Sequence, residues 1–123
     1  MLEKDAKIFV AGHHGLVGSA IWNNLLQRGY TNLTGRSHKE LDLLDGVAVK
    51  KFFDEEKPDA VVLAAAPVGC IMANLQYRAD FIYRNLQIQQ NVIGESFRHG
   101  VKKLLFLGST CIYPVSYTHL RAH

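Results

Sequence analysis

The chain has 123 residues, 48% of them apolar and 20% charged, with a formal charge of +3. That is the size of one domain with the composition of a globular core-former, which excludes two full lobes, disorder and fibrous repeats. Its fourteen basic and eleven acidic side chains are dispersed, without the basic stripe that marks a nucleic-acid partner.

Met1 to Asp5 carries charges of both signs and leads directly into a strand pattern. No apolar run reaches the roughly 18 residues of a membrane span, and no targeting segment is visible. Cys70 and Cys111 lie far apart, with neither a Cys-x-x-Cys pair nor a ligand set beside them, which fits no disulfide framework and no zinc site. A cytoplasmic protein with no membrane partner and no metal is expected.

Lys7–Ala11 is a short apolar run that ends in a glycine turn. Leu16, Val17, Ala20, Ile21, Leu25 and Leu26 then recur at helical spacing until Gly29. Leu33-Thr34 is a weak second strand. Val47 to Glu56 predicts a helix with Val49, Phe52 and Phe53 on its apolar side. Ala60–Ala64 is almost wholly apolar, the pattern of a parallel strand covered on both faces. A long helix is predicted from Asp80 to His99, apolar at Phe81, Ile82, Leu86, Val92, Ile93 and Phe97 and stopped by Gly100. A fourth strand follows at Lys103–Leu107. Right-handed crossovers convert this order into an α/β, Rossmann-type doubly wound parallel sheet, truncated after the fourth strand. The expected strand order is 3-2-1-4, with the switch point between the first and fourth strands.

Residues 1–114 form the expected domain. From Val115 to His123 the chain has neither helical nor alternating period and resembles the conceptual translation of a transposase sequencing adaptor. This segment reads as a non-native tail, a frayed natural terminus being the alternative.

The first turn carries the chemistry. Gly12, Gly15 and Gly18 recur at intervals of three, directly after a strand and at the opening of a helix. Such spacing provides a tight turn, close backbone approach to a pyrophosphate and a helix packed hard on its strand, with the helix N-terminus facing the anion. His13 and His14 read as exposed loop histidines rather than metal ligands, the second within reach of a phosphate. Cofactor choice belongs to the end of the second strand, here Gly35-Arg36-Ser37-His38-Lys39. A guanidinium and a hydroxyl suit a 2′-phosphate and leave a bare 2′-hydroxyl without its usual carboxylate. NADP is therefore favoured over NAD, the alternative being a solvated basic loop. In Asp42-Leu43-Leu44-Asp45 a carboxylate is placed to accept from an adenine amino group, and Asp45 reads equally well as a helix N-cap. Gly108-Ser109-Thr110-Cys111-Ile112-Tyr113-Pro114 puts hydroxyls and a thiol at the carboxyl edge of the sheet. Cys111 reads either as a small buried hydrophobe or as a reactive thiol.

Taken together, Gly12-x-x-Gly15-x-x-Gly18, Leu63-Ala64-Ala65-Ala66, Gly69-x-Ile71-Met72-Ala73-Asn74, Ala79-Asp80-Phe81-Ile82-Tyr83 and the Gly108–Pro114 segment resemble the GDP-L-fucose synthase family of extended short-chain dehydrogenases/reductases. The likeness runs from about Lys7 to Pro114. It implies NADPH-dependent conversion of GDP-4-keto-6-deoxy-D-mannose: epimerisation at the two carbons flanking the ketone, then reduction at C4. It further implies a GDP-sugar substrate and a homodimeric full-length form. Cofactor contacts are implied at Gly12, His14, Gly15, Leu16, Val17 and Gly18, at Arg36, Asp42 and Leu43, and at Ala64 and Ala66. Ser109 is implied to hydrogen-bond the substrate oxygen, and Cys111 to move the epimerisation proton.

Departures accompany the matches. His14 stands where the family usually has Arg, Pro67 replaces a usual Lys, Cys70 a usual Gly, and Leu75, Gln76 and Arg78 depart from the common run there. The group's Tyr-x-x-x-Lys pair is missing, because no tyrosine of this chain is followed four residues later by lysine. The resemblance therefore implies a truncated product that binds dinucleotide weakly and does not complete turnover. Three readings stand: part of a GDP-sugar epimerase/reductase or a related nucleotide-sugar epimerase/dehydratase, a non-catalytic dinucleotide-binding module, and an interaction domain that uses the fold only structurally.

Overall fold

The computed structural model describes residues 2–64 and 75–107. In chain order the elements are β1 (Ile8–Ala11), α1 (Leu16–Gln27), β2 (Leu33–Thr34), α2 (Gly46–Glu56), β3 (Ala60–Leu63), α3 (Leu75–Arg98) and β4 (Lys103–Phe106). The four strands form one parallel sheet in the order β2-β1-β3-β4.

That order corrects the expected 3-2-1-4. β3 lies beside β1, so the switch point falls between the first and third strands rather than the first and fourth. The reason is burial. β3 is Ala-Val-Val-Leu with all four residues buried, and it finds four-residue partners on both edges, Ile8–Ala11 and Lys103–Phe106. At the outer edge it would have only β2 to pair with, and β2 reaches β1 through just two positions, Ile8↔Leu33 and Phe9↔Thr34.

Strand alternation splits the core between two faces. Phe9, Ala11, Val61 and Leu63 point to one side, where α2 supplies Val49, Phe52 and Phe53 and α3 supplies Ile88 and Val92. Ile8, Val10, Ala60 and Val62 point to the other, where Ile21, Trp22 and Leu25 of α1 pack. Helices on both faces make the sheet doubly wound. Each fully buried side chain such as Phe9, Phe53 or Leu63 contributes about 1.5–3 kcal/mol.

The helix ends follow their sequence signals. Asp45 is the N-cap of α2, accepting from the amides of Val47 and Ala48 at 3.1 and 3.2 Å, which settles one reading left open above. At the end of α1, Tyr30 N donates to Leu25 O and Gly29 N to Leu26 O. At the end of α3, Val101 N donates to Ser96 O and Gly100 N to Phe97 O. Both are paired-bond glycine caps.

The inward face of α3 is corrected. Asn85, Ile88, Val92, Glu95 and Ser96 are buried, whereas Ile82 and Leu86 are exposed and Phe97 is 87% exposed. Ser96 and Glu95 meet partners on α3 itself, while Glu95 Oε1 is buried without a hydrogen-bond partner among the described residues. Ser96 Oγ donates to Val92 O at 2.7 Å, and the buried Glu95 pairs with Arg98.

Candidate functional site

The carboxyl ends of β1 and β3 meet in register, Ala11 opposite Leu63. The amide of Ala64 donates to Ala11 O at 2.9 Å, and that of Leu107 to Leu63 O at 3.1 Å. Ala64 thus sits beside the glycine turn at the β1/β3 switch point, with α1 on one face of the sheet and α3 on the other. Crevices of this kind are where open parallel sheets take ligands.

Gly12 adopts φ +88°, a conformation that side chains disfavour. Gly15 N donates to Gly12 O at 3.0 Å, closing the turn. A Cβ on Gly18 would lie 1.9 Å from Gly12 O, and one on Gly15 would lie 3.3 Å from the same oxygen. The absence of two side chains is what lets α1 seat directly on the turn. Gly15 is the N-cap and offers no side-chain hydrogen bond, and the first turn of α1 carries no acidic residue. The amides of Leu16, Val17 and Gly18 therefore have no carbonyl acceptor within the helix. Leu16 is 91% exposed and Val17 55% exposed. Open amide donors, a positive helix end and uncovered apolar side chains are together a fit for the pyrophosphate of a dinucleotide.

Arg36 leaves the end of β2. Its Nη1 donates to Gly35 O at 2.9 Å, Nη2 lies 3.6 Å from Glu56 Oε1, and the guanidinium sits 5.2 Å from the centre of the Phe52 ring. After it, Ser37 and Glu40 cap one another: Ser37 N donates to Glu40 Oε1 at 2.9 Å, and Glu40 N to Ser37 Oγ at 3.3 Å. These bonds hold the Glu40 carboxyl below its ordinary pKa. The Ser-x-x-Glu spacing of this reciprocal cap is a capping-box signal in the sequence, beyond the expectations for this loop. Asp42 is exposed, with Oδ1 accepting from Leu44 N at 3.0 Å. Leu43 turns its side chain into the core, and its carbonyl accepts from Asn91 Nδ2 at 2.8 Å, so the loop is tied down from α3.

Of the two turn histidines, His13 departs from expectation. His14 is exposed, but His13 is only partly so. Their rings stack at 3.8 Å between centroids, and His13 also lies 5.3 Å from Trp22 of α1. Its Nδ1 is buried without a hydrogen-bond partner. Burial first, then the neighbouring His14 and Arg36, push its pKa below the ordinary value, with Glu40 opposing. Two adjacent loop histidines carry no sequence mark of which one packs inward. Ala66, Ser109 and Cys111 lie outside the described residues.

The profile of the NAD dependent epimerase/dehydratase family matches residues 8–120. The chain belongs to this family. Among members, it is 62% identical to GDP-L-fucose synthase 1 of Arabidopsis thaliana over 114 residues, which are 93% of this chain and 35% of that protein. It is 55% identical to the GDP-L-fucose synthase of Escherichia coli strain K12 over 108 residues, 88% of this chain and 34% of that one. A GDP-D-glycero-L-gluco-heptose synthase from Campylobacter jejuni, crystallised in the presence of NADPH, superposes with TM-score 0.85 at 50% identity, covering 94% of this chain and 34% of that structure. The chain thus spans about a third of the length of the epimerase/dehydratase relatives it matches. Among the described residues no group of His, Cys, Asp and Glu is arranged to hold a metal, and no helix is long and apolar enough to cross a membrane.

Proposed function

We propose that this chain is the NADPH-binding portion of a GDP-sugar epimerase/reductase of the GDP-L-fucose synthase type. The observation that carries the reading is the Gly12–Gly18 contact, which bares the first amides of α1 at the β1/β3 switch point. Arg36 stands at the end of β2, where a ribose 2′ substituent would arrive. Similarity to GDP-L-fucose synthases of a plant and a bacterium supports the substrate class, and the NADPH in the heptose synthase crystals supports the coenzyme.

In this reading the glycine turn holds the pyrophosphate, Arg36 and His14 meet the 2′-phosphate, and Asp42 takes the adenine amino group. Leu16, Val17 and Ala64 line the crevice, and the resemblance adds Ala66 as a coenzyme contact. When bound, NADPH supplies the hydride for the C4 ketone. Ser109 donates to the ketone oxygen, which acidifies the α protons by stabilising the enolate, and Cys111 moves those protons. The full-length form is a homodimer in the cytoplasm, and residues 115–123 lie outside the domain.

Calorimetric titration of the purified chain tests the first part: NADPH should bind more tightly than NADH, and absence of heat with either at several temperatures would end the proposal. The second part is tested with GDP-4-keto-6-deoxy-D-mannose. The chain alone should oxidise no NADPH, since it has no Tyr-x-x-x-Lys, whereas a gene product extended to include that pair should. A second reading, a binding module without turnover, stands if the extended gene product lacks the pair.

A further inference from the structure

Gly35 has no backbone reason to be glycine, since it is not among the residues with positive φ. Its reason is His13. A Cβ at position 35 would come within 2.6 Å of Cγ and Nδ1 of the His13 ring and 2.8 Å of Cδ2. Residues 13 and 35 therefore fit together across the gap between the glycine turn and the end of β2. The ring filling that gap is fixed from two further sides, by His14 at 3.8 Å and by Trp22 at 5.3 Å. The peptide it supports is the one that holds Arg36, whose Nη1 donates to Gly35 O at 2.9 Å.

We propose that His13 is a positioning residue for coenzyme discrimination, a wedge beneath Gly35 that sets the end of β2 so that Arg36 meets the ribose 2′-phosphate. The inference rests on the dinucleotide reading and deepens it. Its ring acts by shape and by being uncharged. Nδ1 is buried and unpaired, and burial with His14 and Arg36 beside it disfavours the charged ring. A second fixed cation is thereby kept out from under Arg36. Removing the wedge lets Gly35 and Arg36 settle elsewhere, and the loss falls on the ligand that carries the 2′-phosphate.

Two measurements on the purified chain test this. In calorimetry, His13→Ala should weaken NADPH by about tenfold or more while changing NADH by less than about threefold, and His13→Phe, which keeps the wedge, should hold the NADPH-to-NADH ratio near that of wild type. An unchanged ratio in His13→Ala, equal weakening of both coenzymes, or a His13→Phe chain that behaves like His13→Ala would overturn the inference while leaving dinucleotide binding intact. A wild-type chain that binds neither coenzyme overturns the reading beneath it, and the inference with it. The second measurement needs no coenzyme. Gly35→Ala should lower the melting temperature, and His13→Ala added to it should recover part of the loss by making room for the new methyl group. Strictly additive losses would sink the wedge.

Discussion

A methyl group on residue 18 would sit 1.9 Å from the carbonyl oxygen of Gly12 and 2.7 Å from its carbon, both of them backbone atoms that cannot swing aside. Gly18→Ala must therefore shift α1 away from the turn. Overpacking usually costs about 1–3 kcal/mol, and a clash with main chain belongs at or above the top of that range. Urea denaturation should show a loss of about 3 kcal/mol, and the same variant should release no heat with NADPH. At Arg36 the expected effect is on affinity rather than stability. Its contact with Glu56 is long, at 3.6 Å, and about a third in solvent, so losing it costs under about 1 kcal/mol. A hydrogen bond to a charged phosphate is worth about 1.5–3 kcal/mol. Arg36→Gln should accordingly raise the Kd for NADPH by about ten- to a hundredfold and leave NADH nearly unchanged, as read by titration. Equal effects on both coenzymes would place Arg36 outside the 2′ subsite.

Between elements, α2 and α3 are joined by a polar latch as well as by Val49, Phe53, Ile88 and Val92. Both ring nitrogens of His99 face acceptors: Nδ1 lies 2.9 Å from Glu95 O and Nε2 lies 2.7 Å from Asp54 Oδ1. Only the doubly protonated ring can donate to both. Lys50 pairs with Asp54 at 3.0 Å on the α2 side, Glu95 Oε1 lies 3.6 Å from Nδ1, and Arg98 pairs with Glu95 on the α3 side. The bond to Asp54, followed by the one to Glu95 O, raises the His99 pKa above 6.5. His99 and then Lys50 lower that of Asp54 below 3.8. The stability from a raised His pKa is complete below 6.5 and is lost as pH rises through the folded-state value. That from the lowered Asp pKa is present above 3.8 and is lost as pH falls through its folded-state value. The latch is thus strongest in mildly acid solution. Denaturant midpoints should show a larger advantage of wild type over His99→Gln near about pH 5.5 than near about pH 8.5. An advantage that does not change with pH would mean that the ring acts through its packing on Phe53 alone.

For the whole molecule, the exposed edge of the sheet decides behaviour in solution. β4 pairs only with β3 among the described residues, and Leu104, Leu105 and Phe106 are 39%, 51% and 43% exposed. An apolar edge whose backbone groups have no strand partner among the described residues invites pairing with a second chain. The chain should self-associate as its concentration rises, seen by sedimentation or light scattering, and Leu105→Lys should reduce this without changing NADPH binding. A monodisperse monomer at high concentration would count against that view.

How much of this was readable beforehand depends on the range of the interaction involved. The elements themselves, apart from the start of α3 at Leu75 rather than Asp80, the glycine turn, the Asp45 cap as one of two readings, and the stops at Gly29 and Gly100 are local events, governed by spacing and by the conformations single residues allow. Each was therefore legible in the string of residues. Strand order was not, because right-handed crossovers permit β3 on either side of the β1–β2 pair, and only its need for two long, apolar neighbours puts it in the middle. The inward face of α3 was also hidden. Its apolar residues run on more than one side, and only the packing of Ile88 and Val92 against α2 and the sheet decides which side turns inward and takes Asn85, Glu95 and Ser96 with it. His13 shows the same division at the site: glycine spacing announces an anion cradle, while the meeting of residue 13 with residue 35 exists only after two strands pair and a helix closes over them.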